Sequence, residues 1–517
     1  MKRALAVLTI VVGLGLAAGS AQAQVVLSFG QPSDTAIAVV PGSMSAVDVQ
    51  VGNLPYNYAG CYYAPLYLYS YYCLTSATVT IGFDPAKVDS VAVEAIYPGL
   101  ATVSGSSPGA GLFTVVASGA VGGFQVTAFR LRVRLAAGVT DGAYLWMHAD
   151  SLYSASIPVT TGAVARIGTL CHASHVFGDV DGNGQVDARD ALITLSAAVG
   201  LPVAGGFNLA YGDVDGDGLA NSRDALMMLT FAVGNQVYSP GPLNRVGAAI
   251  ADACPGLTAP GETVVFKRSL VSGGGIFRLD PASTTAMQVT ADPLNAWPRL
   301  NAGNTTVAFE CNPNICLSAP DGSNPRTLSI AWGRSSPDWS PDGTKLALVQ
   351  LVYPWMPTIY TIDTLGVAQD SIGYGTVSPR RVAWSHDGTR IAYQDSLSGS
   401  VSTVPAAVPY TVVPLVPSAG ADLARWSPGD SVVAYTTVGL APILGVAAGG
   451  GTPRALVTFP GTGAFDWGPA GLIFSMPDSH GVQSLWLLQG GPSGPLVRLT
   501  NPGSGQADDQ PSFRRNP

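Results

Sequence analysis

Six aromatic anchors recur through the second half of the chain: Trp297, Trp339, Trp384, Trp426, Trp467 and Phe513 stand 41–46 residues apart. A period in that range is the length of a propeller blade, and a chain that repeats it is bound to stack like units around an axis. Around the anchors lie Ala296-Trp297-Pro298-Arg299-Leu300, Pro337-Asp338-Trp339-Ser340-Pro341-Asp342-Gly343, Ala383-Trp384-Ser385-His386-Asp387-Gly388, Ala424-Arg425-Trp426-Ser427-Pro428 and Phe465-Asp466-Trp467. A strand ends at the Trp, the Ser-Pro-Asp-Gly type tetrapeptide makes the turn, and Lys345-Leu346-Ala347 or Arg390-Ile391-Ala392 opens the returning strand. The region begins with later-strand sequences, Thr263–Lys267 and Gly275–Leu279, whereas Asp509–Phe513 supplies one first strand and no more. The last strand is therefore expected to complete the first blade and seal a six-bladed ring with no free edge. Because Trp and Asp recur at every blade, they read as packing and turn-capping residues rather than as a catalytic set.

Composition agrees with a turn-rich, multidomain β-protein. Gly (62) and Pro (39) are both poor in helices, and at 517 residues the chain exceeds a single core. Only 11% of residues are charged and 47% are hydrophobic, which excludes disorder. With 25 basic against 33 acidic residues and only four Lys, the chain lacks the basic stripe that nucleic acid requires.

Lys2 and Arg3 precede an apolar run, Ala4–Ala18, and Ala21-Gln22-Ala23 offers a small-x-small cleavage site. This predicts a secretory signal peptide over 1–23, removed before Gln24, and a mature protein that is extracellular or on the cell surface, with the periplasm an option. No later run reaches transmembrane length. Export makes the six Cys candidate disulfide partners, with 15 possible pairings. Proximity suggests Cys61 with Cys73, Cys311 with Cys316, and Cys171 with Cys254 across the segment between them.

Residues 24–170 alternate with strand period: Phe129, Leu131, Val133 and Leu135 against Arg130, Arg132 and Arg134, and Val79, Ile81 and Phe83 inward in Thr78–Phe83. A β-sandwich is expected. An insert from Tyr56 to Cys73 holds eight Tyr, among them Tyr62, Tyr63, Tyr67 and Tyr69, whose apolar rings with polar tips suit packing, protein contact or sugar stacking.

The strongest motif is central and doubled. Asp179, Asp181, Asn183, Gln185, Asp187 and Asp190 occupy positions 1, 3, 5, 7, 9 and 12 of one loop, and Asp213, Asp215, Asp217, Leu219, Asn221 and Asp224 repeat them 34 residues on. Short oxygen ligands at this spacing, with Gly184 or Gly218 at position 6 and a carbonyl offered at position 7, are built for a hard divalent cation, so two calcium ions are expected. One helix follows each loop, Ala188–Val199 and Ser222–Val233, with Leu192, Leu195 and Val199 on one stripe of the first.

Position 12 is Asp where an EF-hand has Glu, and over 176–236 the duplicated loop and helix resembles type I dockerins. That resemblance implies a cohesin partner, read partly through positions 10 and 11, here Ala188-Arg189 and Ser222-Arg223 in place of a hydroxyl pair. The partner module would lie in cis or in trans. The anchor repeat resembles TolB-type propellers, and Ala77–Ile96 resembles cohesins and carbohydrate-binding-module-like sandwiches. The expected architecture is mainly β: a sandwich (24–170), a small helical calcium-binding segment (171–254) and a six-bladed propeller (255–517).

No catalytic constellation emerges from the sequence. Gly105-Ser106-Ser107-Pro108-Gly109 reads as a sandwich loop outside strand-to-helix context, and His172 and His175 as solvated linker residues. No carboxylate pair stands out for glycoside hydrolysis. The expected function is non-enzymatic binding or scaffolding of protein or glycan partners; the rival is an accessory role in extracellular polysaccharide catabolism. Losing Lys2 and Arg3 takes the net charge from −8 to −10, and two calcium ions would bring it to about −6. Eight of the 33 acidic residues are Asp of the two loops, so the acidity reads as a metal-site feature.

Overall fold

The computed structural model describes the chain outside residues 1–25, 30–35, 53–73, 122–124, 155–156, 159–165, 204–207, 238–243, 251–252, 272, 329–333, 353–355, 373–377, 396, 418–419, 438–441, 458–462, 479–481, 493, 504 and 514–517. The signal-peptide segment, the Cys61/Cys73 pairing and Tyr62, Tyr63, Tyr67 and Tyr69 lie outside the described residues. Among the described residues no helix is long and apolar enough to cross a membrane.

Two sheets enclose the N-terminal core. One has the spatial order Val26–Phe29, Ser45–Gly52, Gln125–Leu135, Val88–Ala95; the other runs Ala36–Val39, Arg166–His172, Ala143–Ser154, Leu74–Phe83, Leu112–Val121, Leu100–Gly109. Period-two alternation explains the layering: Phe129, Leu131, Val133 and Leu135 are buried against Val79, Ile81, Val115, Leu145 and Met147 of the facing sheet. Phe83 packs half-buried on the same cluster. On the outer face Arg130, Arg132 and Arg134 pair across strands with Asp48, Glu94 and Asp89 at 2.5, 3.1 and 2.7 Å. The Gly105–Gly109 stretch, expected in a loop, lies within the edge strand Leu100–Gly109 and is exposed. Its small residues suit a sheet edge, and the sharp turn that a catalytic Ser would need is absent there.

The second sheet also presents apolar residues outward. Tyr144, Trp146 and Leu112 join a cluster with Phe465, Phe474, Trp486 and Leu488 of the propeller. The rings of Tyr144 and Trp486 meet edge to face at 5.2 Å, and Tyr144 Oη donates to Pro255 O at 3.1 Å. Burial pushes the Tyr144 phenol up to about 12.

Six four-stranded sheets form the propeller. The first is composite: Ala507–Phe513 pairs antiparallel with Val264–Leu270, which leads on to Gly273–Leu279 and Met287–Gln288, so the ring closes between its two chain ends. A bidentate Arg268–Asp508 pair at 2.6 and 2.7 Å clamps that seam, with Asp508 fully buried. The turn chemistry follows the motif: Ser340 Oγ and Thr344 N both donate to Asp342 Oδ1, and Ser385 and Thr389 do the same to Asp387. Register corrects one anchor. Trp339, Trp384, Trp426 and Trp467 pair with Leu346, Ile391, Val433 and Leu472; the equivalent partner of Val307 is Leu300, not Trp297. Trp297 sits three residues earlier at a register shift with φ 51°, its ring covered by the Arg381 guanidinium at 3.6 Å. Disulfide Cys311–Cys316 links the two strands of a hairpin in that same blade.

Truncating Asp508 to Ala would leave the part-buried Arg268 without the carboxylate it clamps, and should cost about 3–5 kcal/mol of propeller stability. Denaturant unfolding followed by Trp fluorescence measures it. Deleting residues 507–517 should cost more, because it also opens the edge of Val264–Leu270.

Candidate metal centre

The segment between sandwich and propeller leaves and returns through one stem. His175-Val176 pairs with Ala249-Ile250, His172 bridges Ala253, and disulfide Cys171–Cys254 closes the base. His172 and His175 are thus part of the stem rather than of a solvated linker; the His175 ring stacks on Tyr211 at 4.8 Å. Beyond the stem lie helices α1 (Ala188–Ala198), α2 (Leu209–Gly212) and α3 (Ser222–Ala232). The single turn α2, which precedes the second loop, was not foreseen.

Both long helices start for the same reason. Asp187 and Asn221 are N-caps, accepting from Arg189 N and Arg223 N, and Asp190 and Asp224 complete the capping boxes by accepting from Asp187 N and Asn221 N. Each helix ends before a glycine in the left-handed region, Gly200 at φ +77° and Gly234 at φ +75°. The internal core is small: Val180, Ala191, Val214, Met227 and Met228 are buried, with Phe177, Ile193 and Tyr211 packed beside them.

The loops curl around their acidic groups. Carboxylate oxygens of Asp179, Asp181 and Asp190 lie within 4.8 Å of one another, as do those of Asp213, Asp215 and Asp224: positions 1, 3 and 12. Loop amides hold them in place. Asp190 Oδ1 accepts from Val180 N and Asp181 N, and Asp224 Oδ1 from Val214 N and Asp215 N, at 2.9–3.2 Å. Asp179 accepts from Asn183 N and Gly184 N, and Asp213 from Gly216 N and Gly218 N. Gly184 and Gly218 have φ +86° and +91°, which a side chain at position 6 would strain. At position 5 Asn183 and Asp217 accept from Gln185 N and Leu219 N. At position 9 Asp187 and Asn221 each give an oxygen to a helix cap, and Asn221 Nδ2 donates to the Leu219 carbonyl at position 7.

This donor set fits a hard cation. Three carboxylates held together around each turn repel one another, and Asp181 Oδ2 is buried with no hydrogen-bond donor. Burial raises the carboxyls of Asp190 and Asp224 above their usual range, against the opposing loop amides. Three arginines approach the oxygens. Arg189 Nε stands 3.2 Å from Asp181 Oδ2, Arg223 donates to Asp215 Oδ2 at 3.1 Å, and Arg245 Nη2 donates to Asp213 O at 2.6 Å and to its Oδ2 at 3.1 Å. Arg245, which the motif reading did not reach, also lies 4.2 Å over the Phe177 ring, tying the second loop to the stem.

The stripe of α1 faces outward. Leu192, Leu195 and Val199 are 62%, 41% and 65% exposed, and Leu226, Leu229 and Val233 of α3 match them at 64%, 42% and 63%. The buried face is the one carrying Ala191, Thr194, Ala225 and Met228.

A second cluster lies on the propeller axis. A small cavity of about 20 Å³ is lined by the residue before each anchor: Arg299, Asp338, Ala383, Arg425, Asp466 and Ser512. Its charges offset one another, with Arg299 at 3.7 and 3.5 Å from Asp338 and Asp466, and Arg425 at 3.6 Å from Asp466.

Residues 177–230 match the model of the dockerin type I domain. No curated protein matches the chain. Among solved structures, TolB from Acinetobacter baumannii is similar at 11% identity over 72% of this chain and 80% of that one (TM-score 0.41). The putative TolB from Agrobacterium tumefaciens is similar at 13% over 49% and 98% (TM-score 0.38). A scaffoldin cohesin from Acetivibrio cellulolyticus, solved in complex with a dockerin variant, aligns at 14% over 28% and 99% with a TM-score of only 0.22. The cohesin likeness of the sandwich is thus not carried by that alignment.

Replacing Asp190 or Asp224 by Ala should lower the calcium stoichiometry by one per chain in calorimetry. The pH dependence follows in sign. With raised folded values, both carboxyls favour the ion-free fold at pH below the ordinary carboxylate range, and that contribution is lost as pH rises through the raised values. Calcium needs them ionised, so its stabilising effect on the melting temperature should shrink on acidification through the same window.

Proposed function

We propose that this is an exported, calcium-dependent binding protein, organised as a sandwich (24–170), a dockerin-like segment (171–254) and a propeller (255–517), that joins an extracellular assembly through its dockerin-like helices. Each loop takes one calcium ion through positions 1, 3, 5, 7, 9 and 12. When bound, the ion supplies the positive charge that the clustered carboxylates require. The partner is a cohesin module in trans. The observation that carries this reading is the outward stripe: three large apolar residues on each helix, matched residue for residue across the repeat, remain exposed on a segment whose stem is already closed. A dock onto the chain's own sandwich would cover them; the sandwich instead packs its outer apolar patch on the propeller.

The full-length protein should bind two calcium ions in calorimetry and then retain one or more members of an immobilised cohesin panel, with chelator releasing it. The double substitution L192D/L226D should abolish capture while the calcium stoichiometry stays at two. Capture that survives both changes together with chelator would refute the stripe as the docking face.

A further inference from the structure

The two exposed stripes have the same head. Arg189, Leu192 and Leu195 of α1 with its C-cap Val199, and Arg223, Leu226 and Leu229 of α3 with its C-cap Val233, follow one pattern at steps of three, three and four, which places each arginine at the N-terminal end of its apolar row. Neither arginine points its charge into solvent alone. Arg189 Nε lies 3.2 Å from Asp181 Oδ2; Arg223 Nη1 lies 3.1 Å from Asp215 Oδ2 and 3.4 Å from Asp217 Oδ2. In both loops the other oxygen of the position-3 carboxylate is already taken, since Asp181 Oδ1 accepts from Asn183 N and Asp215 Oδ1 from Asp217 N, each at 3.1 Å. The other position-3 oxygen accepts from no loop amide and is the one that the guanidinium approaches; in both loops the carboxylate is largely buried, whereas Arg189 and Arg223 are 72% and 47% exposed.

We propose that Arg189 and Arg223 are counter-ions of the calcium-free loops that calcium displaces, so that the docking face gains its positive charge only when the loops are loaded. A dication and a guanidinium repel, and the dication wins a buried, amide-anchored carboxylate because it also draws on positions 1 and 12. The freed guanidinium lies at the head of an apolar row, and the partner surface that fits it carries a carboxylate beside an apolar patch. Arg245 differs: it is packed on Phe177 and held by a main-chain carbonyl, so it remains in place. This inference rests on the calcium reading above and deepens it from metal binding to control of the docking surface.

The test is phenylglyoxal modification of the full-length protein with and without calcium, mapped by mass spectrometry, with Arg130, Arg132 and Arg134 of the sandwich as internal references. Calorimetry on the same sample reports calcium uptake separately, so absence of heat defeats the calcium reading rather than the exchange. With calcium bound, modification of Arg189 and Arg223 should rise several-fold against the references; an unchanged or slower rate would overturn the proposal. A second arm uses R189Q/R223Q. The variant should bind calcium more tightly than the parent, yet lose several-fold in capture by any cohesin that retains the parent. Unchanged calcium affinity, or unchanged capture, would overturn it as well.

Discussion

Mutual repulsion among carboxylates decides the middle of this molecule. Each loop brings three of them within 4.8 Å, and among the described residues the apolar core beneath has five buried members to offset the repulsion. Hydrophobic burial on that scale is small for a segment of this length, and under the reading proposed above bound cations supply the remainder. The arrangement supplies a provisional set: Arg189, Arg223 and Arg245 each reach loop oxygens. Burial raises the Asp190 and Asp224 carboxyls, and the neighbouring Asp181 and Asp215 charges add a smaller push in the same direction.

That dependence is kept local by the stem. Strand pairing at His175-Val176, the bridge at His172 and the Cys171–Cys254 disulfide fix the entry and exit of the segment side by side. Sandwich and propeller hold each other separately, through the Tyr144 and Trp486 contact and the surrounding apolar cluster. A closed disulfide also limits the unfolded excursions of the 83-residue span it subtends.

Features fixed by local chemistry were legible in the sequence. The loop positions, both helix starts, the alternation of Phe129–Leu135 and the closure of the ring by Asp509–Phe513 all rest on residues whose roles are set by near neighbours or by a repeat. What misled was any feature decided by a distant partner. Trp297 matches the repeat by spacing, but a register shift in its strand hands the anchor position to Leu300 and leaves the indole to Arg381, 84 residues away. The stripe of α1 has the periodicity of a core-facing row, and periodicity alone does not tell which of two faces a neighbouring helix covers. Here small residues, Ala191 and Ala225, let α1 and α3 approach on the other face, where Thr194 meets Met228. Arg245 was invisible because its partner, Asp213, lies 32 residues back and across the stem.

The same division explains why the propeller's own role is harder to read than its shape. Anchor positions must repeat, because Trp339 and Trp426 each give an indole N–H to a carbonyl of the preceding blade's inner strand, Arg299 O and Ala383 O, and so set the spacing between blades. The residue just before each anchor faces the axis, and Asp338 and Asp466 there also accept from the amides of Trp384 and Phe513 in the next blade. Around the ring those positions read Arg299, Asp338, Ala383, Arg425, Asp466 and Ser512, a sequence of charge, opposite charge and small residue that runs twice. Each buried arginine there has an aspartate within 3.7 Å, so the ring balances internally and needs no outside ion to be stable. A channel whose charges offset one another can hold the blades together without offering a free charge on the axis.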